Sequence, residues 1–322
     1  MSETTPPRMR AISQDTAGGP DVLHLIETDR PEPGPTEVLV RVQAAGVNPT
    51  DWKTRARGRF YSGQEPPFTL GFDVAGVVEA VGAGVTILAP GDEVFGMPRF
   101  PRPAGAYAEY VTAPARHLFR RPAGLGATAA AALPLAALTA WQALVDTAEV
   151  APGQRVLIHA AAGGVGHLAV QIAKARGAYV IGTASAGKHE FLRGIGVDEA
   201  LDYRSVDFAE TVRDVDVVLD TMGGDHPTRS LRTLRPGGGT LVSIVPPDET
   251  FPVEQARAAG VRAVFVMVEP DFAGLREIAA LVADGRLRVE VAAVLPLADA
   301  AKAHVLGETG RTTGKIVLSV SD

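Results

Sequence analysis

The chemistry with the clearest spacing lies in VLIHAAAGGVGHLAVQIAKARGA, residues 156–178. An apolar run without alternation, as in a strand covered on both faces, leads into a glycine cluster. Val165, Leu168, Ala169, Ile172 and Ala173 then recur at helical spacing. The Gly-x-Gly-x-x-Gly template places its second and third glycines on Gly163 and Gly166, with Ala161 at the first position and Gly164 extra. Gly163 would let the backbone approach a pyrophosphate, and Gly166 would let helix and strand pack closely. A helix N-terminus offers free N–H groups and a positive dipole end to phosphates. A glycine-rich turn without a ligand is the plainer alternative.

The next strand bears on which dinucleotide is bound. NAD-binding units carry an acid about 20 residues after the glycines to hold the ribose hydroxyls. Here IGTASAGKHE (181–190) has Gly182, Thr183 and Ala184 there, followed by Ser185, Lys188 and His189. A hydroxyl and an ammonium suit a 2′-phosphate, and Tyr203 at the end of ALDY closes the same pocket, so NADPH is expected. Lys188 also reads as a solvated charge on a helix's first turn.

Two further segments hold residues of interest. In NPTDW (48–52), Asn48 and Pro49 read as a turn and Asp51 as a helix cap, or else as polar groups of a substrate site. In PFTLGFDVAGVV (67–78), Phe72 and Asp73 open a glycine-rich hairpin. There are no cysteines, which excludes disulfides and cysteine zinc sites, and the seven histidines show no H-E-x-x-H spacing. The net charge of −6, from 31 basic and 37 acidic residues that are scattered, argues against nucleic acid or anionic lipid as partner.

The elements that position these residues change in rhythm along the chain. EVLVRVQAAGVN (37–48), GVVEAVG (76–82), GDEVFGM (91–97) and GAYAEYVTAP (105–114) are short strand-like runs cut by Gly and Pro, which predict an antiparallel sheet or partial barrel. The uncharged, Ala-rich stretch 122–145 is expected to be a buried helix pair and not a membrane span, since Ala contributes little to insertion. Strands then alternate with helices: 154–161, 178–184, 199–203, 215–222 and 238–245 predict a parallel doubly wound sheet. FVMVEP (265–270) is expected to be a strand returning to the first domain's style, before a helix at 271–287 and a last strand at 314–320. This order places an α/β domain inside a split β-rich one. MSETTPPR lacks the apolar core of a leader and reads as a short disordered tail on a cytoplasmic protein.

Three motifs combine at this point: AAGVNPTDWK (44–53), HAAAGGVG (159–166) and GRTTGKIVL (310–318). With GFDVAGVV and DVVLDTMGG, the chain resembles the zinc-free quinone oxidoreductase branch of the medium-chain dehydrogenase/reductase superfamily, from about Arg8 to Val320. The resemblance implies a GroES-like domain (1–131 plus 266–322) with an inserted Rossmann domain (132–265). It implies that Gly163, Gly164 and Val165 cradle the pyrophosphate. Ser185, Lys188 and Tyr203, with His189 beside them, would face the 2′-phosphate. Thr221, Ile244 and Val245 would line the nicotinamide, Thr139 would approach it, and Val266 and Met267 would border its carboxamide. Lys315, in the last loop, would reach the cofactor or be a surface charge. Asn48, with Pro49 beside it, would hydrogen-bond the nicotinamide ribose or a substrate oxygen, and Asp51 would fix that loop. Trp52, Phe60, Tyr61 and Met97 would be apolar walls or ordinary core. In the zinc-dependent relatives a G-H-E sequence stands where Gly71, Phe72 and Asp73 stand here, and its His is a metal ligand; Phe72 cannot bind zinc.

The implied activity is metal-free hydride transfer from NADPH to a quinone. The alternatives are reduction of an enone or alkenal double bond, or a non-catalytic NADPH-binding protein. Relatives pair the strand matching VRAVFVMV (261–268) across a two-fold axis, which implies a homodimer.

Overall fold

The computed structural model describes residues 7–321, so most of the N-terminal tail reading lies outside the described residues. The chain divides into two compact units, one of Met1–Leu135, Glu269–Ala283 and Val289–Asp322, the other of Ala136–Val268 and Asp284–Arg288.

The first unit opens with β1 (Arg8–Gln14), β2 (Leu23–Asp29) and β3 (Glu37–Val47), followed by α1 (Pro49–Arg57). Then come β4 (Phe68–Thr69), β5 (Asp73–Val81), β6 (Glu93–Gly96), β7 (Tyr110–Pro114), β8 (Leu118–Arg120) and α2 (Ala127–Ala131). The alternating valines of β3 are buried, and this strand is the spine: it pairs antiparallel with β5 and β7. Helix α3 (Pro134–Trp141) crosses from this unit into the next and continues as a π-helical turn over Gln142–Thr147. The Ala-rich stretch is therefore a pair of helices with Ala130–Ala132 fully buried, and no helix among the described residues is long and apolar enough to cross a membrane.

The second unit runs β9 (Arg155–Ile158), α4 (Gly166–Ala175), β10 (Tyr179–Ala184), α5 (His189–Gly194), β11 (Glu199–Asp202) and α6 (Phe208–Thr211). It continues with β12 (Val217–Asp220), α7 (His226–Ser230), β13 (Thr240–Ser243), α8 (Val253–Ala258) and β14 (Arg262–Phe265). Its six strands are all parallel, in the order β11-β10-β9-β12-β13-β14. Their cores are near-continuous Val, Leu and Ile because both faces are covered. One expectation is corrected: FVMVEP is not a strand of the first unit. The strand ends at Phe265 and is the edge of the parallel sheet, held by β13.

The chain returns to the first unit with α9 (Phe272–Ala283), β15 (Val291–Pro296), α10 (Ala300–Glu308) and β16 (Lys315–Ser319). Strand β16 pairs antiparallel with the end of β3, so the last motif of the sequence lies against Ala44–Val47.

Candidate functional site

In the second unit, parallel pairing sends the carboxyl ends of all six strands to one edge. There the order reverses at β9, whose neighbours β10 and β12 leave in opposite directions, and such a switch point is where doubly wound sheets bind ligands. Most of the expected cofactor residues lie in loops at this edge: Gly163–Val165 after β9, Ser185, Lys188 and His189 after β10, and Tyr203 after β11. Thr221 follows β12, Ile244 and Val245 follow β13, and Val266 and Met267 follow β14. Thr139 is buried on α3 of the same unit.

The glycine loop fits a pyrophosphate. A Cβ on Gly166 would sit 2.3 Å from the Ala160 carbonyl oxygen, so only glycine lets α4 start this close to β9. A Cβ on Gly163 would meet only that same oxygen, at 3.1 Å, which leaves its other side open to a ligand. Among the described residues, the N–H groups of Gly164, Val165 and Gly166 find no protein acceptor. A ten-residue helix whose opening donors are uncommitted is suited to an anion. Ala160 takes the left-handed conformation, φ 46°, and is pinned there by its N–H donating to the Thr183 hydroxyl at 3.1 Å. Thr183 thus serves the loop, a role its sequence position does not signal. Thr221 donates its hydroxyl to the His159 carbonyl at 2.9 Å, and Asp220 accepts from the N–H groups of Met222 and Gly223 and from Ser243, which fixes the turn after β12.

Beyond β10 the half-buried Lys188 has its ammonium pushed below the ordinary lysine range by burial, with Tyr203 opposing the shift. Tyr203 is 57% exposed and carries the Arg204 guanidinium 5.7 Å from its ring centre. One acid lies near: Asp202 is in register with Ala184 on the adjacent strand, and it accepts from the Arg204 N–H at 3.1 Å. Arg204 carries no signal in the sequence, because nothing in the glycine template reaches past the second strand.

The first unit gathers a buried polar network around the NPTD loop. Asn48 (1% exposed), Asp51, Asp73 and Lys315 are all buried. The Asn48 N–H donates to Asp51 Oδ2 at 2.7 Å, its Nδ2 donates to Asp73 Oδ2 at 2.8 Å, and Lys315 Nζ donates to its Oδ1. Lys315 also donates to the Val47 carbonyl at 3.1 Å and pairs with Asp73 at 3.6 Å. Tyr107 donates to Asp51 Oδ2 at 3.1 Å, and behind it stand His304, Arg55 and Glu308. Burial pushes Asp51 up to about 7, with nearby Asp73 adding to the rise and the Asn48 and Tyr107 hydrogen bonds opposing it. Burial raises Asp73 as well, held back by Lys315, whose own ammonium burial lowers. His304 falls to about 3 through burial and the Arg55 charge, so it is neutral.

One expectation changes. Lys315 is neither a loop residue nor a surface charge; it is the first residue of β16, 3% exposed, with its ammonium committed to Val47, Asn48 and Asp73. Asp51 holds the loop by accepting from the Asn48 N–H, and the Asn48 amide is engaged by Asp73 and Lys315. Met97 is fully buried in the core. Trp52 is half-buried beside His304, Tyr61 is 39% exposed under the Arg57 guanidinium, and Pro49 is exposed.

Phe72 answers to its neighbours. It is 1% exposed and edge-on to Phe60 and Phe100, with ring centres 5.9 and 5.0 Å away. Gly71 before it adopts φ 96°, and a Cβ there would lie 2.4 Å from the Tyr107 ring. Among the described residues no three His, Cys, Asp or Glu side chains are grouped to hold a metal.

Comparison with known proteins agrees with this geometry. Residues 34–123 match the alcohol dehydrogenase GroES-like domain family, and residues 195–318 match the zinc-binding dehydrogenase family. The structure of a quinone oxidoreductase from Coxiella burnetii superposes with a TM-score of 0.90 at 38% identity, over 98% of this chain and 100% of that one. An Escherichia coli quinone oxidoreductase solved with NADPH superposes with a TM-score of 0.85 at 30% identity, over 97% and 100%. A 2-haloacrylate reductase of a Burkholderia species is 37% identical over 94% of this chain and 96% of its own length. The chain spans only 15% and 8% of the two polyketide synthases that it also matches. The chain therefore belongs to the zinc-free, quinone oxidoreductase-like family of medium-chain dehydrogenases/reductases.

Proposed function

We propose that this protein reduces quinones or similarly electron-poor carbonyl acceptors with NADPH. The observation that carries the reading is the glycine loop at the switch point, with its uncommitted N–H groups and the Ser185, Lys188 and Tyr203 loops on the same edge. When bound, the dinucleotide supplies a hydride. Gly163, Gly164 and Val165 would hold its pyrophosphate, Lys188 and Arg204 its 2′-phosphate, and Thr221, Ile244 and Val245 its nicotinamide side. The overall balance is NADPH, a proton and the acceptor giving NADP⁺ and the two-electron-reduced acceptor. Reduction of a conjugated C=C bond is a second reading, favoured by the likeness to a 2-haloacrylate reductase.

Stopped-flow loss of NADPH absorbance with matched panels of quinones and enones tests the reading. Faster oxidation with quinones is expected; turnover with enones alone shifts the assignment to the second reading, and tight NADPH binding without turnover overturns both. For the cofactor, Lys188→Ala is expected to raise the Kd for NADPH about tenfold, near 1.4 kcal/mol, and to leave NADH unchanged. Equal weakening of both would reject a 2′-phosphate role. We also propose a homodimer, supported by β14 as an edge strand with open backbone groups; sedimentation of a monomer at micromolar concentration would overturn it.

A further inference from the structure

We propose that a cleft at the far end of α4 is a second binding site, which takes the phosphoryl group of a small phosphomonoester on the guanidinium groups of Arg286 and Arg288. All of its lining residues belong to the second unit, and the proposal does not depend on which acceptor the protein reduces.

Topology fixes where this cleft lies. Helix α4 starts at Gly166 in the glycine loop and ends at Ala175, and ten residues at about 1.5 Å each carry it about 15 Å away. Helix α5 leaves the same edge of the sheet at His189 and ends at Gly194. Both helices therefore bring their C-termini to the edge opposite the cofactor residues. With the segment Asp284–Arg288 of the same unit they form a cleft of about 440 Å³, lined by Gln171, Lys174, Ile195, Gly285, Arg286 and Arg288 among others. That volume is within the range of small-molecule sites.

Its wall is held by a buried side chain. Gln171 is 6% exposed, and its amide is spent on backbone groups. Its Oε1 accepts from the Arg288 N–H at 2.9 Å, and its Nε2 donates to the carbonyls of Arg288 at 2.9 Å and His167 at 2.8 Å. Arg288 is thereby pinned to α4, and Gly285 supplies the left-handed turn before it, φ 69°, with open space where a Cβ would stand. Each guanidinium is then anchored once: Arg286 donates to the Ala175 carbonyl at 2.6 Å, and Arg288 to the Gly194 carbonyl at 3.0 Å. Capping a helix's last carbonyls accounts for one donor of each fork and leaves the others unspent. Among the described residues no Asp or Glu pairs with either arginine. Lys174 differs, since Asp198 takes its charge at 2.8 Å. The cleft thus holds two uncompensated cations at fixed places on two helix ends.

Two planar forks facing one cleft suit a phosphoryl group, whose oxygens accept bidentately. Inorganic phosphate alone would leave most of the space unfilled, and the remaining walls, Gln171, Ala175 and Ile195, are neutral. The ligand is therefore a phosphomonoester with a neutral body, of the class of sugar or nucleoside phosphates.

The test titrates the full-length protein, with saturating NADP⁺ present, with uridine monophosphate and glycerol phosphate, and with uridine, glycerol and citrate as controls. Calorimetry is expected to show the two esters binding with a Kd below about 1 mM, and the controls not binding. Backbone amide NMR should show the signals of Gly194, Gly285 and Arg288 moving with the esters while those of Gly163–Gly166 stay in place. Arg286→Gln combined with Arg288→Gln is expected to weaken ester binding at least about tenfold, and Lys188→Ala to leave it unchanged. Absence of ester binding overturns the proposal, as does equal binding of citrate. Shifts confined to the glycine loop, or affinity lost with Lys188→Ala and kept in the arginine variant, would place the esters at the cofactor edge and overturn it too. The amide shifts are read on the wild type, so the test decides even where the double variant does not fold.

Discussion

Gly166 shows what a single atom decides here. A methyl group at that position would overlap the Ala160 carbonyl oxygen at 2.3 Å and the Ala161 Cα at 2.8 Å, so Gly166→Ala must push α4 away from β9. The uncommitted N–H groups of Gly164–Gly166 move with it. We expect dinucleotide affinity to fall by at least about tenfold, roughly 1.4 kcal/mol, measured by calorimetry with NADPH. An unchanged Kd in a folded variant would show that these donors do not meet the phosphates. The glycine template made Gly163 and Gly166 legible in the sequence because it encodes backbone space. Lys315 was not legible, because a lone lysine in a Gly-rich context looks the same whether it is solvated or buried against Asp73. Only the pairing of β16 with β3 tells the two apart.

At the scale of elements, the segment joining β4 to β5 trades a ligand position for an aromatic one. Phe72 packs edge-on between Phe60 and Phe100, and Phe60 in turn meets Phe68 with ring centres 4.5 Å apart. Removing the central ring leaves a cavity that three other rings cannot close together. Phe72→Ala is expected to cost about 3–5 kcal/mol in urea unfolding, and a loss below about 1 kcal/mol would show that the cluster relaxes freely. The same scale separates what periodicity reveals from what it hides. The alternating valines of β3 and the unbroken apolar runs of β9 and β12 follow directly from one-face and two-face burial. FVMVEP reads as a strand of the first unit from its short apolar run, yet only its Phe265 lies in a strand, at the edge of the parallel sheet. Register with β13 decides it, and register depends on partners far along the chain. The network behind the NPTD loop was hidden for the same reason: Tyr107 and His304 lie 56 and 253 residues from Asp51, on elements that local pattern cannot bring together.

For the whole molecule, these buried ionisable groups make stability depend on pH with opposing signs. Asp51 titrates near 7 in the fold and 3.8 when exposed, so the folded state holds the extra proton between those values. Its contribution is full below 3.8 and is lost as pH rises to about 7. His304 and His159 fall to about 3 from 6.5, so there the unfolded chain takes up the protons and stability rises with pH across that window. Each group alone sets a slope of at most about 1.4 kcal/mol per pH unit. The two histidines therefore outweigh Asp51 from about pH 4 to 6, and only the Asp51 loss persists above that. Asp51→Asn isolates the carboxylate, since Asn resembles its protonated form and its carbonyl still accepts from Asn48 and Tyr107. Urea unfolding at pH 4.5, 6 and 8 should show the smallest difference between variant and wild type at the lowest pH. The variant should then gain steadily and be the more stable protein at pH 8. A difference that is the same at all three values would mean that Asp51 is ionised throughout, and that Arg55 and Lys315 compensate the charge that burial disfavours.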